Sequence, residues 1–264
     1  MVESVGLENQ YTRKGIRGSN PLLSTLYFFM KLPIDLVEQR KKYVLFKNDC
    51  GVTDMTRRGG IYEHYIFDYI KDNLQVKDTT IIDIGANFGF HSLEFADLVG
   101  ENGNVFSFEP QRIVFYQLCA NIILNGYNNI YAYNIALGNE HKKVLIENPD
   151  YFSNETINIG DAHINKFIHL HNNEIDLKKL DDFNFEKLSV IKIDVQGFEP
   201  FVLDGAINTI NNHRPYIFIE VETAQLKIYD FNDNDVFDRL KKLNYSIKKV
   251  LDAEHLVDYI ATPN

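Results

Sequence analysis

Several things are scarce in this 264-residue sequence, and each scarcity removes a class of protein. Cysteine pairs are missing: Cys50 and Cys119 lie far apart and in no Cys-x-x-Cys arrangement. That removes disulfide frameworks and zinc knuckles and fits a reducing compartment. The plain reading of both thiols is that of small apolar side chains. Long apolar runs are missing as well. The most apolar early stretch, Leu22 to Leu32, is interrupted by Ser24, Thr25 and Lys31. It falls short of the roughly 20 residues that a spanning helix requires and reads as a core-packing segment. The opening MVESVGLENQ is acidic and has no apolar centre, so a secretory leader is not expected and a cytoplasmic location is. Basic residues are in deficit, with 27 Lys and Arg against 37 Asp and Glu and a formal net charge of -10. A field of that sign repels a phosphate backbone, so nucleic acid ranks low as a partner. Internal repeats and low-complexity segments are also absent.

What remains is ordinary globular material. Hydrophobic residues make up 45% and charged residues 24% of the chain, enough to bury a sizeable core in one large α/β domain. Residues 1–58 read as an N-terminal arm, with a hairpin expected around Tyr43–Phe46. Gly59-Gly60 breaks the chain, and residues 59–264 read as the main domain. Within it, Tyr62, Tyr65, Ile66, Tyr69 and Ile70 fall at helical spacing. Thr79–Ile84 is a continuous β-rich apolar run, the mark of a strand buried on both faces. Helix at His91–Val99, strand at Asn104–Phe108, helix at Gln111–Leu124 and strand at Ile130–Ile135 follow, with a short extra strand at Lys143–Glu147. Asn148–Glu174 is polar and is expected to be an irregular loop, long enough to be functional. The alternation resumes with strand Leu188–Asp194, helix Phe198–Asn211, strand Pro215–Val221 and helix Asn232–Leu243. Strands Tyr245–Val250 and Val257–Ala261 have no helix between them. The pattern predicts a Rossmann-like, mostly parallel sheet with helices on both faces and an antiparallel edge hairpin.

The chemistry concentrates where strands end. In IIDIGANFGF, residues 81–90, a buried strand carries Asp83 and turns through Gly85 and Gly89 into a helix. Glycine lets backbone approach a ligand closely, and a helix start offers free N–H groups. A dinucleotide fingerprint would need a glycine at the middle position, where a pyrophosphate comes close. Asn87 stands there, which disfavours an NAD-linked oxidoreductase and is tolerated by S-adenosylmethionine. Asp83 is placed to receive the ammonium of a methionine moiety. Glu109 ends the next strand, 26 positions after Asp83, at the sheet end where such folds bind ligands. A carboxylate there can accept from both hydroxyls of a ribose, though it could also cap a helix. Asp194 ends a further strand in IKIDVQGFE, as either a crevice acid or a helix cap. PYIFIEVE ends in Glu220 and Glu222, which share one face if the strand persists.

These four segments, in this order, resemble the FkbM family of S-adenosylmethionine-dependent methyltransferases. The likeness runs from about Tyr62 to Glu222, with a tail at residues 258–263. The family pattern has an acid where this chain has Gln196. The resemblance implies a seven-stranded Rossmann-like fold and O-methylation of a hydroxyl on a sugar, glycan or other small-molecule acceptor. It also implies that Asp83, Gly85, Ala86, Asn87 and Gly89 hold the methionine part of the donor and Glu109 its ribose. Asn134 and Ala136 would lie where adenine packs, and Glu63 would approach the cofactor.

For the reaction itself, Asp194 is the expected acceptor-side acid, with His91 and Glu222 as helpers. Asp194, Glu220 and Glu222 could alternatively hold a divalent cation through oxygen ligands. His163, His169 and His171 form a weaker metal pattern. A catalytically silent cofactor-binding module is the remaining alternative.

Overall fold

A computed structural model describes residues 33–146, 149–165, 173–253 and 256–264. Ile34–Asn264 form one compact unit. The Leu22–Leu32 stretch and both His169 and His171 lie outside the described residues. The described chain opens with an antiparallel hairpin, β1 (Ile34–Glu38) and β2 (Lys42–Phe46), where a hairpin was expected. Helices α1 (Val52–Arg57) and α2 (His64–Asn73) lead to the central strand β3 (Thr80–Ile84). Then come α3 (Phe90–Val99), β4 (Asn104–Phe108), α4 (Arg112–Leu124) and β5 (Ile130–Tyr133). Strands β6 (Ala136–Leu137), β7 (Lys142–Ile146), β8 (Ile164–Asn165) and β9 (Asn173–Lys178) follow. The chain continues with β10 (Leu188–Ile193), α5 (Glu199–Asp204), α6 (Ile207–His213) and β11 (Tyr216–Glu220). It ends with α7 (Thr223–Ile228), α8 (Asp233–Lys242), β12 (Tyr245–Ala253) and β13 (Leu256–Pro263).

The principal sheet has seven strands in the order β12-β13-β11-β10-β3-β4-β5. Neighbours from β11 to β5 pair in parallel, and β13 runs antiparallel to both β11 and β12. This is the Rossmann-like, mostly parallel sheet with an antiparallel edge hairpin that the alternation predicted. Successive side chains of a strand face opposite ways, and the core divides accordingly. Ile82, Ile84, Ile191, Ile193, Ile217 and Ile219 pack on one face. Ile81, Val105, Val190, Phe218 and Ile260 pack on the other, against α2, α3 and the hairpin.

Two sequence expectations need correction. The 148–174 segment is not simply a loop: β8 and β9 join β6 and β7 in a second sheet, order β6-β9-β7-β8. Strand β8 has only two residues, too few to show a period, and β9 begins at Asn173, its alternation of buried Ile175 and Leu177 with Glu174, Asp176 and Lys178 lying at the end of the polar segment. The single helix expected over 198–211 is two helices. At the break, a Cβ on Gly205 would meet the Gly138 carbonyl oxygen at 1.8 Å. Helix α6 has its own start, with Asp181 accepting from Asn208 N at 3.1 Å and Thr209 N at 2.8 Å. Those are the orphan donors of a helix start. Among the described residues no helix is long and apolar enough to cross a membrane.

The free edge of β2 is closed by side chains rather than by another strand. Gln117, Asn121 and Asn125 recur every four residues along α4. Asn121 Oδ1 accepts from Val44 N at 2.6 Å, and Asn121 Nδ2 donates to the Phe88 carbonyl at 2.8 Å. Gln117 donates to the Val44 carbonyl at 2.7 Å. Asn125 pairs with both backbone groups of Lys42, at 2.8 and 2.7 Å. Because an unpaired buried backbone group costs roughly 1–3 kcal/mol, Asn121→Ala, which strands two of them, should destabilise the protein by about 2–4 kcal/mol. Urea unfolding of the variant measures this; a loss under about 1 kcal/mol would show that water replaces the amide.

Candidate functional site

A cleft of about 390 Å³ opens at the carboxyl ends of the parallel strands, within the size range of small-molecule sites. Gly85 and Asn87 from the β3–α3 turn, Glu109 after β4, Asp194 and Gln196 after β10, and Glu220 at the end of β11 all contribute to its wall. Residues 158–164 pass along the same cavity. Ile159 is fixed on one side, its N–H donating to Asp49 Oδ1 at 3.0 Å and its carbonyl accepting from Gln111 Nε2 at 2.9 Å. On the other side Gln225 of α7 donates to Asp161 at 2.9 Å and bonds His163.

The β3–α3 turn is shaped by contacts within the protein. Gly85 has φ +80°, and a Cβ there would stand 1.8 Å from the Asp194 carbonyl oxygen. Gly89 has φ +91°, and its Cβ would meet Leu118 at 2.5 Å. Both positions therefore need glycine before any ligand is considered. Glu109 is 3% exposed and accepts from Asn87 N at 2.9 Å and Gln111 N at 2.8 Å. Burial outweighs these bonds and raises its carboxyl to about 7.

A polar row crosses the sheet beside this turn. Asp83, Lys192, Glu220 and Asp258 occupy the strand positions that alternate with Ile82, Ile193, Ile219 and Tyr259, and they share one face. Lys192 lies opposite Asp83, and Glu220 opposite Asp258, in the ladder. Lys192 is 3% exposed, and its Nζ stands 3.0 Å from Asp194 Oδ2. Burial alone would discharge the ammonium, but Asp194, Glu63 and Asp83 outweigh it and raise its pKa. Burial likewise opposes charge on Asp194, yet Lys192, a bond from Glu220 and the Gln196 amide hold it below the usual carboxylate range. Gln196 Nε2 donates to Asp194 Oδ1 at 3.0 Å and to Glu220 Oε2 at 3.1 Å. Glu220 is pushed well above the ordinary range, first by burial and then by the charge of Asp194. The two acids are thus driven apart, Asp194 toward the ionised form and Glu220 toward the protonated one. Asp258, bonded by the Tyr65 hydroxyl, is raised to about 7 by burial and by Glu63.

Of the residues singled out in the sequence, Gly85, Asn87, Glu109, Ala136, Asp194, Glu220 and Glu222 line the cleft. Asp83, Ala86 and Gly89 lie behind its wall: Asp83 is fully buried, accepts from Ser92 Oγ at 2.6 Å, and keeps Oδ1 without a partner. Asn134 does not line the cleft. Its Nδ2 ties the turn after β4 by donating to the Glu109 and Pro110 carbonyls at 2.9 and 3.0 Å. His91 and Glu63 also stand behind the wall, with Nε2 and Oε2 2.9 Å apart but out of hydrogen-bond alignment. The His91 ring stacks on Phe67 at 5.5 Å. The acids expected to hold a divalent cation are not gathered into a cage. Gln196 and Lys192 already occupy the Asp194 oxygens, and Glu222 stands at the start of α7. Among the described residues no group of three or more His, Cys, Asp or Glu is placed to hold a metal ion.

Sequence reasoning missed Tyr62, Gln111, Gln225 and Lys192. A lysine inside an apolar strand, as in Val190-Ile191-Lys192-Ile193, was the available signal for a buried ion pair. Gln111 and Gln225 act across long sequence separations, 48 and 64 residues, and carry no local signature.

The cavity fits an adenosyl sulfonium. Glu109 stands at a strand end where a ribose can be gripped, and the described lining residues include six Asp or Glu side chains, Asp194 held below the usual range among them, and no Lys or Arg, which suits a cationic ligand.

The comparisons bear on the same residues. The methyltransferase FkbM domain family matches residues 83–247. No curated protein matches the chain. Similar solved structures include a methyltransferase FkbM from Methylobacillus flagellatus KT, at 18% identity and a TM-score of 0.49, covering 72% of this chain and 45% of that one. This chain therefore spans under half the length of that relative. A precorrin-6y C5,15-methyltransferase from Geobacter metallireducens GS-15 matches at 13% identity and a TM-score of 0.49, covering 84% of this chain and 94% of the other. Aeropyrum pernix fibrillarin, in complex with natively bound S-adenosyl-L-methionine, matches at 13% and 0.39, covering 72% and 69%. With more than half of its length matched by the family, and the matched segment running from the end of β3 through α8 and including Gly85, Glu109, Asp194 and Glu220 of the cleft wall, the chain belongs to the FkbM methyltransferases, for which S-adenosylmethionine is the expected donor.

Proposed function

We propose that the protein is an O-methyltransferase that moves the methyl of S-adenosylmethionine to a hydroxyl of a sugar, glycan or similar small molecule. The observation that carries this reading is Asp194: an ionised carboxylate, held by Lys192, in the same cleft as the ribose-gripping candidate Glu109. The donor, when bound, supplies a methyl group on a positively charged sulfur, which keeps the bonding electron pair as the methyl leaves. The chain supplies position and a proton acceptor. Asp83, Gly85, Ala86, Asn87 and Gly89 form and back the turn proposed for the methionine part, Glu63 stands close behind it, Ala136 lines the proposed adenine end, and Asn134 holds the turn beside it from behind. Asp194 takes the acceptor's hydroxyl proton as its oxygen attacks. Glu222, on the rim, is placed to contact the acceptor. His91 supports Glu63 from behind the wall. Alignment in such a site lowers a barrier by about 7–11 kcal/mol. The net charge of -10 and the absence of Lys and Arg among the described lining residues favour an acceptor without phosphate groups.

The direct test is labelled-methyl transfer from S-adenosylmethionine to glycan and small-molecule pools, with the products identified by mass spectrometry. Asp194→Asn should bind S-adenosylhomocysteine as wild type does by calorimetry and lose about 100- to 10,000-fold in turnover. Turnover at the wild-type rate would remove Asp194 from the mechanism.

A pH dependence follows from Glu109. Its carboxyl, raised to about 7 in the free protein, must be ionised to accept from two ribose hydroxyls. Protons therefore compete with the donor. Affinity for S-adenosylhomocysteine should rise by up to about tenfold per pH unit below 7 and level off above it. Glu109→Gln should bind weakly and without this slope. A flat wild-type profile between pH 5.5 and 8 would exclude the role.

Lys192→Met leaves Asp194 and its neighbouring carboxylates buried without their cation, a loss of about 3–5 kcal/mol for a broken buried pair. Protonation relieves the stranded carboxylates, so the deficit should be larger at pH 8 than at pH 6. Urea unfolding at both values reads the difference, and an equal deficit at both would show that Lys192 contributes packing rather than charge.

A further inference from the structure

Tyr62 lies immediately before the proposed cofactor-side acid Glu63 and has no part in the donor-binding reading. Its position is fixed by unusual backbone. Glu63 adopts the left-handed region at φ 48°, rare for a residue with a side chain. It is buried against His91 at 2.9 Å. The Tyr62 ring packs edge-on against His91, with centroids 6.0 Å apart at 72°. The ring is half-buried, and the residue lines the cleft together with Asp194, Gln196 and Glu220. Three other phenols around the cleft are engaged. Tyr65 bonds Asp258, Tyr151 donates to Gln111 Oε1 at 2.9 Å, and Tyr229 donates to the Ile164 carbonyl at 3.0 Å. The Tyr62 hydroxyl makes no hydrogen bond among the described residues. Burial, then the charges of Glu63 and Asp194, raise its pKa, so the group stays a neutral O–H that can donate.

A half-buried phenol held rigid at its ring and left unpaired at its oxygen, on the wall that carries Asp194, is suited to bind something that enters the cleft. We propose that Tyr62 is a further catalytic residue, whose hydroxyl donates a hydrogen bond to an acceptor oxygen adjacent to the one that is methylated. The acceptor class is thereby narrowed to compounds with two neighbouring oxygens, as on a sugar ring or another polyol. Asp194 takes the proton of the attacking hydroxyl, while Tyr62 fixes the rotation of the acceptor about it. This inference rests on the hydroxyl-transfer reading above.

The experiment compares wild type and Tyr62→Phe on the individual compounds that wild type labels in the glycan and small-molecule pools. It adds S-adenosylhomocysteine calorimetry on both proteins. Removing one oxygen should lower kcat/KM for the acceptor about tenfold or more, since the substrate oxygen is left unpaired, while S-adenosylhomocysteine affinity and the pH profile of turnover stay unchanged. A wild-type measurement needs no variant: an acceptor analogue lacking the adjacent oxygen should lose the same factor, and the two losses should not add. Transfer by Tyr62→Phe at the wild-type rate would overturn the inference, as would additive losses. A weakened S-adenosylhomocysteine affinity would also overturn it, by moving Tyr62 to the donor side. If wild type binds S-adenosylhomocysteine yet labels nothing in either pool, the hydroxyl-transfer reading itself fails and this inference fails with it.

Discussion

A single buried ammonium organises the chemistry of this cleft. Lys192 sits inside a strand whose neighbours are isoleucine and valine, where an unpaired charge would be untenable. It is kept charged because Asp194, Glu63 and Asp83 surround it. In return it favours the ionised form of Asp194, while Glu220, one strand away, is driven toward the protonated form. The arrangement is thermodynamically costly, since buried ion pairs seldom outdo well-packed apolar residues of equal volume. Its effect is to place side by side two carboxyls whose proton affinities are driven in opposite directions, something solvent-exposed acids cannot do.

The rest of the fold serves to keep that row dry. Helices α2 and α3 cover the face of the sheet that carries it, and the aromatic side chains of Phe67, Phe90 and Phe95 pack round His91. The hairpin of β1 and β2 closes the same side through the amide ladder of α4. Because Asn121 binds both Val44 of the hairpin and Phe88 of the β3–α3 turn, the covering layer is tied directly to the loop that shapes the cleft.

Much of the architecture was legible in the sequence because the central strands are predominantly apolar and the helices between them are amphipathic or buried. Thr80–Ile84 and Asn104–Phe108 stood out for that reason. Short elements fixed by long-range partners did not. Helix α6 begins where Asp181 caps it from 28 residues away, and the two-residue β8 is a strand only through its pairing with β7. The site shows the same division. Glu109, Asp194 and Glu220 were visible as acids at strand ends. Lys192 and Tyr62 were not, because their roles come from what faces them across the sheet and across a helix start, information absent from any local window.

The glycine turn illustrates why a motif can be read correctly in place and incompletely in cause. The sequence suggested that Gly85 is small so that a ligand can come close. In the structure the space beside Gly85 is taken by the Asp194 carbonyl, and the backbone N–H of Asp194 bonds the Ile84 carbonyl at 3.1 Å. The turn after β3 and the end of β10 are therefore one rigid unit, held backbone to backbone. The proposed donor contacts and the proposed proton acceptor sit on opposite arms of that unit. A side chain at position 85 would push the two arms apart and misalign the acid even if the cavity could still admit a ligand. Since in-line transfer is sensitive to small displacements of the reacting groups, the glycine is better understood as fixing the distance between the two halves of the site than as making room in either of them.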